Sequence, residues 1–213
     1  MNRREFLKTS GAMSATWGLA NSSEGAASGM FIALNTSLVG GKVQWPEFAR
    51  LAAKVGYGGI DLNLPAAVKE GLDTTKDLLA ELKLKVSFAN LPVNPTRGDE
   101  DTFKKGMETF EDQVKFAAGA GCTRMMVVIP PASQTPKEEL RKTLLGRFHT
   151  MEPVLAEHKV QCAFEFLGPL QFRQGLPYPF IWQMNEMVEF AKDCGPRYPI
   201  RLAPAKDRSP LAR

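Results

Sequence analysis

The chain has 213 residues, 44% of them hydrophobic and 23% charged, which is typical of a folded globular protein and not of a disordered or fibrous one. Its net charge of +4 comes from the two ends, because residues 29–195 carry 19 basic and 20 acidic side chains. This balance argues against a nucleic-acid-binding protein, which needs Lys and Arg clustered on its folded body.

The first 28 residues predict an export signal. Residues 2–8 read Asn-Arg-Arg-Glu-Phe-Leu-Lys, which matches the twin-arginine pattern, and a weakly apolar stretch with small residues follows. That stretch is too short and too weakly apolar to stay in a bilayer. We therefore expect a protein exported to the periplasm through the Tat pathway, without stable membrane insertion.

Strand and helix patterns then alternate five times along the chain. Predicted strands start near residues 30, 59, 85, 123 and 160. The predicted helices between and after them cover 45–55, a segment centred on 75–82, one continuous segment from Asp99 past Val114, a segment from Pro136 to Leu155, and 181–192.

Five successive strand–helix units predict one α/β domain with a parallel sheet. The fourth strand contains the apolar run Met125–Ile129, which indicates a parallel strand buried on both faces. A barrel and an open doubly wound sheet both fit the alternation, although no GxGxxG motif follows the first strand.

The three cysteines are odd in number, widely spaced and without a CxxC pair. They therefore predict neither a zinc site nor a disulfide framework. Cys122 and Cys162 lie beside or within predicted strands, so we expect them to be buried apolar groups.

Three stretches resemble the sugar phosphate isomerase/epimerase family, whose fold is the xylose-isomerase-like TIM barrel: residues 34–38, 55–62 and 164–169. The resemblance covers about residues 30–195. Because a complete barrel takes about 250 residues, it implies an incomplete (β/α)8-type barrel with about five of the eight units. The predicted domains are a signal at 1–28, a partial barrel at 29–195 and an irregular tail at 196–213.

The resemblance also implies a divalent metal at the carboxyl ends of the strands, Mn²⁺, Mg²⁺, Zn²⁺ or Co²⁺, with Glu165 as its first ligand. Such a metal polarises a carbonyl group while a carboxylate moves the neighbouring proton, so Glu165 is the catalytic candidate as well. The alternative is a Glu165 that faces water or pairs with an arginine. Asn90, after the third strand, and Arg173 are candidate substrate contacts, and Arg173 also fits an ordinary loop arginine.

The last 18 residues break the pattern. The family places a sixth strand with an Asp there, whereas residues 197–210 are rich in Arg and Pro and make a poor central strand. We interpret 196–213 as an out-of-frame tail. We expect the other metal ligands to be absent, the activity to be impaired, and the chain to self-associate through open sheet edges.

The sequence thus predicts a sugar isomerase- or epimerase-like protein with a small sugar or sugar derivative as its partner. One alternative is an endonuclease-IV-like, metal-dependent phosphodiesterase on the same fold, whose sites are rich in His. The other is a non-catalytic binding or vestigial protein. Only two His residues occur in the chain, and the body is nearly neutral, which favours the sugar-processing hypothesis.

Overall fold

The computed structural model describes residues 31–39 and 43–198. The predicted signal at 1–28, and the predicted tail from residue 199 onward, lie outside the described residues. The described strands are β1 (Ala33–Leu34), β2 (Gly59–Leu62), β3 (Lys85–Asn90), β4 (Arg124–Ile129), β5 (Ala132–Ser133), β6 (Gln161–Phe166) and β7 (Tyr178–Pro179). The described α-helices are α1 (Trp45–Lys54), α2 (Leu64–Glu70), α3 (Leu72–Glu81), α4 (Glu100–Met107), α5 (Phe110–Gly119), α6 (Lys137–Glu157) and α7 (Met184–Cys194).

Five strands form one parallel sheet in the order β1-β2-β3-β4-β6, and the short strands β5 and β7 pair antiparallel beside it. The order of the five strands follows the order of the chain. In a doubly wound open sheet the strand order reverses at a switch point. The predicted α/β fold class, an incomplete TIM barrel of about five strand–helix units, is therefore confirmed, and the open-sheet alternative is excluded.

One predicted helix is divided in the structure, and one further helix was not predicted. The continuous helix predicted from Asp99 past Val114 is wrong, because α4 ends before Glu108 and α5 begins only after Thr109. The helix expected around 75–82 is preceded by the separate helix α2, and Gly71, at φ +89°, makes the turn between α2 and α3. No helix within the described ranges is both long enough and apolar enough to cross a bilayer.

The core lies between the sheet and its helices. Met125, Val127 and Ile129 are buried there, whereas Val128 on the opposite face of β4 is 38% exposed. The prediction that this strand is buried on both faces is therefore wrong. The apolar run in the sequence would be the same whether or not other segments covered the inner face of the sheet. In the structure that face is exposed at Val128.

Aromatic side chains tie β6 to α6 and α7. The ring of Phe164 stacks on Tyr198, with ring centroids 5.0 Å apart, and contacts Phe148 at 4.8 Å. The Tyr198 hydroxyl donates to the Phe148 carbonyl at 2.8 Å, and the Cys162 amide donates to the Arg197 carbonyl at 2.9 Å. The packed body thus reaches Tyr198, three residues past the boundary predicted at 195.

All three cysteines are buried and unpaired, which confirms the prediction for Cys122 and Cys162 and extends it to Cys194. Burial raises the pKa of the Cys122 thiol to about 11 and that of Cys194 to about 12. The same desolvation raises the pKa of Cys162. These thiols are packing groups and not nucleophiles.

Candidate functional site

Glu165 lies on the inner face of the sheet, close to the carboxyl end of β6. Successive side chains of a strand alternate between its two faces. Since Phe164 packs against α6 and α7, its exposed neighbours Ala163 and Glu165 belong to the opposite, inner face. Glu165 is level with Val128 of β4 in the parallel ladder.

Asn90 is the last residue of β3 and shares this inner face. It is paired in register with Met126, which in turn is paired with Ala163. Neighbouring strands lie about 4.8 Å apart, so β3 and β6 are about 10 Å apart across β4. The structure therefore places the two predicted residues on one face at the same end of the sheet. Glu165 lies two positions nearer the edge formed by the carboxyl ends of the strands, which we call the rim.

A cavity of about 460 Å³ opens at this end of the sheet. Its polar lining consists of Asn90, Asn94, Thr96 and Arg97. Its apolar lining includes Met126, Val128, Pro131, Leu167, Phe172 and Leu176. We call this space the rim cavity. Of the predicted site residues, Asn90 lines it, while Glu165 lies one strand away, next to Val128.

The loop between β3 and α4 supplies most of the polar lining of the rim cavity. Arg147 of α6 stabilises this loop. The Arg147 side chain is buried, and its guanidinium donates to the carbonyls of Pro95 at 2.9 Å and Gly98 at 3.2 Å. It also lies over the ring of Phe103, 5.1 Å from the centroid. These contacts fix the loop that places Arg97 at the cavity.

Sequence reasoning missed both arginines, although each left a signal. Arg147 occupies an otherwise apolar helix face that runs through Leu144, Phe148 and Met151, where a buried charge needs partners. Arg97 follows a strand end within a loop rich in turn-forming residues, and such loops carry the functional groups of parallel α/β folds.

Arg173, the other predicted substrate contact, holds the loop that follows β6. Its Nη1 donates to the Gly168 carbonyl at 2.5 Å, and its guanidinium stacks over Trp182, 4.0 Å from the ring centroid. It is not among the residues that line the rim cavity. A substrate role for Arg173 stays a prediction, and its observed contacts are with its own loop.

Asp61 is a buried carboxyl group that sequence reasoning did not single out as a site residue. It accepts a hydrogen bond from the Ser87 hydroxyl at 2.5 Å and is 5% exposed. Burial is the main cause that raises its pKa, against the hydrogen bonds from Ser87 and from the backbone of Thr36, which lower it. The signal in the sequence was an acid within the apolar strand β2. Through these hydrogen bonds, Asp61 connects β2 to β3 and to the turn after β1 at the rim.

The described residues do not complete a metal site at the rim. A divalent ion takes four or more ligands, and Glu165 supplies a single carboxylate. Glu111, Glu157 and His158 bring three ligand atoms within 4.8 Å of one another, but they lie on α5 and at the end of α6 and not on the rim strands. The chemistry that the described residues can supply at this end of the sheet is therefore that of the Glu165 carboxylate.

A sequence model described as "Xylose isomerase-like TIM barrel" matches residues 49–200 of the chain. Comparison with curated protein sequences gives no significant match.

Solved structures with the same fold were also found. A xylose isomerase domain protein from Alicyclobacillus acidocaldarius is 18% identical with a TM-score of 0.69, over 76% of this chain and 59% of that one. The IolI protein with a bound zinc atom is 19% identical with a TM-score of 0.62, over 78% and 59%. D-psicose 3-epimerase with D-tagatose from Clostridium cellulolyticum H10 is 16% identical with a TM-score of 0.61, over 78% and 60%. At these identities the likeness is one of fold, and the chain spans about 60% of the length of these structures.

Proposed function

The chain belongs to the xylose isomerase-like TIM barrel family, and we propose that it binds a small sugar or sugar derivative that extends from the rim cavity to Glu165, beside the cavity, which moves a proton next to the carbonyl group. The observation that carries this proposal is the position of Asn90 and Glu165 on one face, at the end of the sheet where TIM-barrel enzymes hold their substrates. The similarity to an epimerase with a bound ketose supports the same class of substrate.

The two walls of the rim cavity suit such a ligand. Asn90, Asn94 and Thr96 offer donors and acceptors for hydroxyl groups, and the wall formed by Val128 and Phe172 can pack against C–H groups. Small-molecule sites usually combine a few placed polar groups with apolar walls in this way.

The proposed reaction is a proton transfer by a single carboxylate. The Glu165 carboxylate takes the proton from the carbon next to the carbonyl, and the electron pair of the broken C–H bond forms the C=C bond of an enediolate. The resulting carboxylic acid then returns the proton to the former carbonyl carbon, while the proton of the neighbouring hydroxyl group moves to the former carbonyl oxygen. Atoms and charge balance, and the aldose and ketose are exchanged. Epimerisation needs a second acid on the opposite face of the carbon, and no carboxylate is found among the described lining residues of the rim cavity.

A divalent metal bound by Glu165 remains a prediction of the resemblance. It is tested separately, by titrating the full chain with Mn²⁺ and following the loss of the free-ion electron paramagnetic resonance signal. Weaker binding by Glu165→Gln would support a ligand role. Equal binding by both proteins would leave Glu165 as a proton-transfer or solvated group.

Deuterium incorporation tests the proposed function. The full chain is incubated with D-fructose or D-tagatose in D₂O, and exchange at the carbon next to the carbonyl is followed by proton NMR. We expect Glu165→Gln to slow exchange by about 10²-fold or more, the usual contribution of a general base. Glu189→Gln, on the exposed face of α7, is the matched control and should exchange like the wild type. Equal exchange by the wild type and Glu165→Gln would refute the role of this carboxylate.

A sugar-binding protein without turnover is the second candidate. It is favoured by the rim cavity itself, which has no carboxylate among its described lining residues. Saturable binding of the same sugars, together with no deuterium incorporation by the wild type, would identify this case.

A further inference from the structure

Three side chains with metal-binding atoms come together among the helices, outside the rim cavity. Glu157 ends α6, His158 follows it directly, and Glu111 lies in the first turn of α5. One oxygen of each carboxylate and one nitrogen of the imidazole lie within 4.8 Å of one another. We call these three residues the α5–α6 cluster. No other three His, Cys, Asp or Glu side chains of the described residues come together in this way.

The imidazole of His158 has a nitrogen without a partner inside this cluster. Its Nε2 atom is buried and makes no hydrogen bond with any described residue. The Glu111 carboxylate oxygen lies 3.9 Å from Nε2, which is too long for a hydrogen bond. A buried polar atom that is left unpaired costs free energy, and an ion is one of the groups that can satisfy it. The geometry therefore indicates a ligand between the ring and the carboxylates.

The distances leave room for a metal ion. Zn²⁺ binds an imidazole nitrogen at about 2.0–2.1 Å and a carboxylate oxygen at about 2.0–2.2 Å. It therefore holds two such atoms about 3.4 Å apart at a tetrahedral angle and at most about 4.3 Å apart. The observed 3.9 Å between His158 Nε2 and Glu111 Oε1 lies within this range. The Glu111 side chain is 61% exposed and Glu157 is exposed too, so both carboxylates can rotate toward an ion without disturbing the core.

The charges around the cluster favour a cation. Among the ion pairs found in the described residues, none joins Glu111 or Glu157 to a Lys or an Arg. Two carboxylates this close together repel each other unless a positive charge lies between them. The carbonyl groups at the end of α6 add partial negative charge beside Glu157 and His158. A divalent ion would offset both contributions.

We propose that the α5–α6 cluster binds a divalent transition-metal ion, of which Zn²⁺ fits best, through His158 Nε2 and one carboxylate oxygen each of Glu111 and Glu157. An imidazole ligand favours Zn²⁺ over Mg²⁺ and Ca²⁺, which prefer oxygen ligands. Three protein ligands leave the fourth tetrahedral position to water. The ion joins α5 to α6 and so stabilises the folded chain. Because none of the three residues lines the rim cavity, this site is independent of the proposed function.

Calorimetric titration of the full chain with Zn²⁺ tests the proposal. His158→Gln, Glu111→Gln and Glu157→Gln should each weaken binding by about tenfold or more, since the loss of a group that only supports a ligand already costs about 10–100-fold. His149→Gln is the matched control, because Nε2 of this second histidine already contacts the Asp193 carbonyl at 2.8 Å. It should bind Zn²⁺ like the wild type.

Thermal unfolding gives a second readout. Zn²⁺ should raise the midpoint of the wild type and of His149→Gln, but not that of His158→Gln. If His158→Gln does not fold, Glu111→Gln and Glu157→Gln carry the test, because both replace exposed side chains. Glu165→Gln should keep the Zn²⁺-dependent shift, which distinguishes this site from a metal at the rim.

Three results would overturn the proposal. One is a wild type that does not bind Zn²⁺, which would leave His158 as a partner of Glu111 alone. The second is equal affinity in the wild type and all three cluster variants, and the third is an equal loss in His149→Gln. Failure of the proton-transfer proposal is distinguishable, because a protein without deuterium exchange would still bind Zn²⁺ through His158.

Discussion

Arg147 should contribute more to stability than an arginine with a similar number of surface contacts. We consider Arg147→Met, which keeps most of the apolar stem and removes the guanidinium. The substitution leaves the carbonyls of Pro95 and Gly98 without their donors at the back of the β3–α4 loop. It also removes the contact with the Phe103 ring.

The expected loss of stability follows from the hydrogen bonds to Pro95 and Gly98, which are the two shortest that Arg147 donates. A hydrogen bond from a charged donor contributes about 1.5–3 kcal/mol, so the two together contribute about 3–6 kcal/mol. The contact with Glu100 adds little, because that carboxylate is 55% exposed and such pairs contribute about 0–1 kcal/mol. Domains of this kind unfold with about 5–15 kcal/mol in total, so the expected loss is a large share of the stability.

Urea unfolding, followed by circular dichroism, measures the difference. We expect the midpoint of Arg147→Met to fall by about 1 M or more, and that of Arg147→Lys, which keeps a charged donor, to fall by less. Arg141→Met on the same helix is the control, since it removes a surface ion pair with Asp193 and a contact with the Phe190 ring but no buried hydrogen bond. A loss for Arg147→Met within about 1 kcal/mol of this control would refute the reasoning, because a surface pair alone can contribute that much.

Three further predictions concern protonation, thiol access and export. Burial raises the pKa of the Asp61 carboxyl group, so this group keeps its proton to a higher pH in the folded state than in the unfolded chain. The wild type therefore loses stability as the pH rises above about 4. Asp61→Asn should therefore gain stability relative to the wild type between about pH 4 and pH 7 in urea titrations, and a difference that does not change with pH would contradict this. At pH 8 the native protein should react slowly with Ellman's reagent, and all three thiols should become reactive only on unfolding. A thiol that reacts within seconds in the native protein would disprove the burial of Cys122, Cys162 or Cys194. Replacement of Arg3 and Arg4 by Lys should keep the protein in the cytoplasm, since the Tat receptor distinguishes guanidinium from ammonium groups, and undiminished periplasmic delivery in cell fractions would rule out this signal.

The elements with a clear period were predictable from the sequence. Helix α1 and strands β3 and β6 lie close to their predicted positions, because one apolar stripe or one short apolar run defines each of them. The division between α4 and α5 was not predictable, since Met107 and Phe110 continue the same apolar spacing across the break. The exposure of Val128 depends on what covers the inner face, which is not a property of β4 itself.

Part of the candidate site was predictable for a similar reason. Asn90 and Glu165 lie near the carboxyl ends of predicted strands, and parallel strands bring these ends to one edge of the sheet. The roles of Arg97 and Arg147 were not predictable, because a cation in a loop or on an apolar helix face does not indicate which groups it contacts. Their roles depend on a contact between residues about fifty positions apart, which only the fold creates.

The location of the ligand tests the central claim most directly. Amide signals of the ¹⁵N-labelled full chain are followed during titration with D-fructose. We expect saturable shifts at Asn90, at Asn94–Arg97 and at Val128 and Glu165. A separate groove between α4 and α6, which includes Glu139 and Gly146 and which we call the outer groove, should show none. Shifts confined to the outer groove, or no saturable shifts at all, would contradict the account.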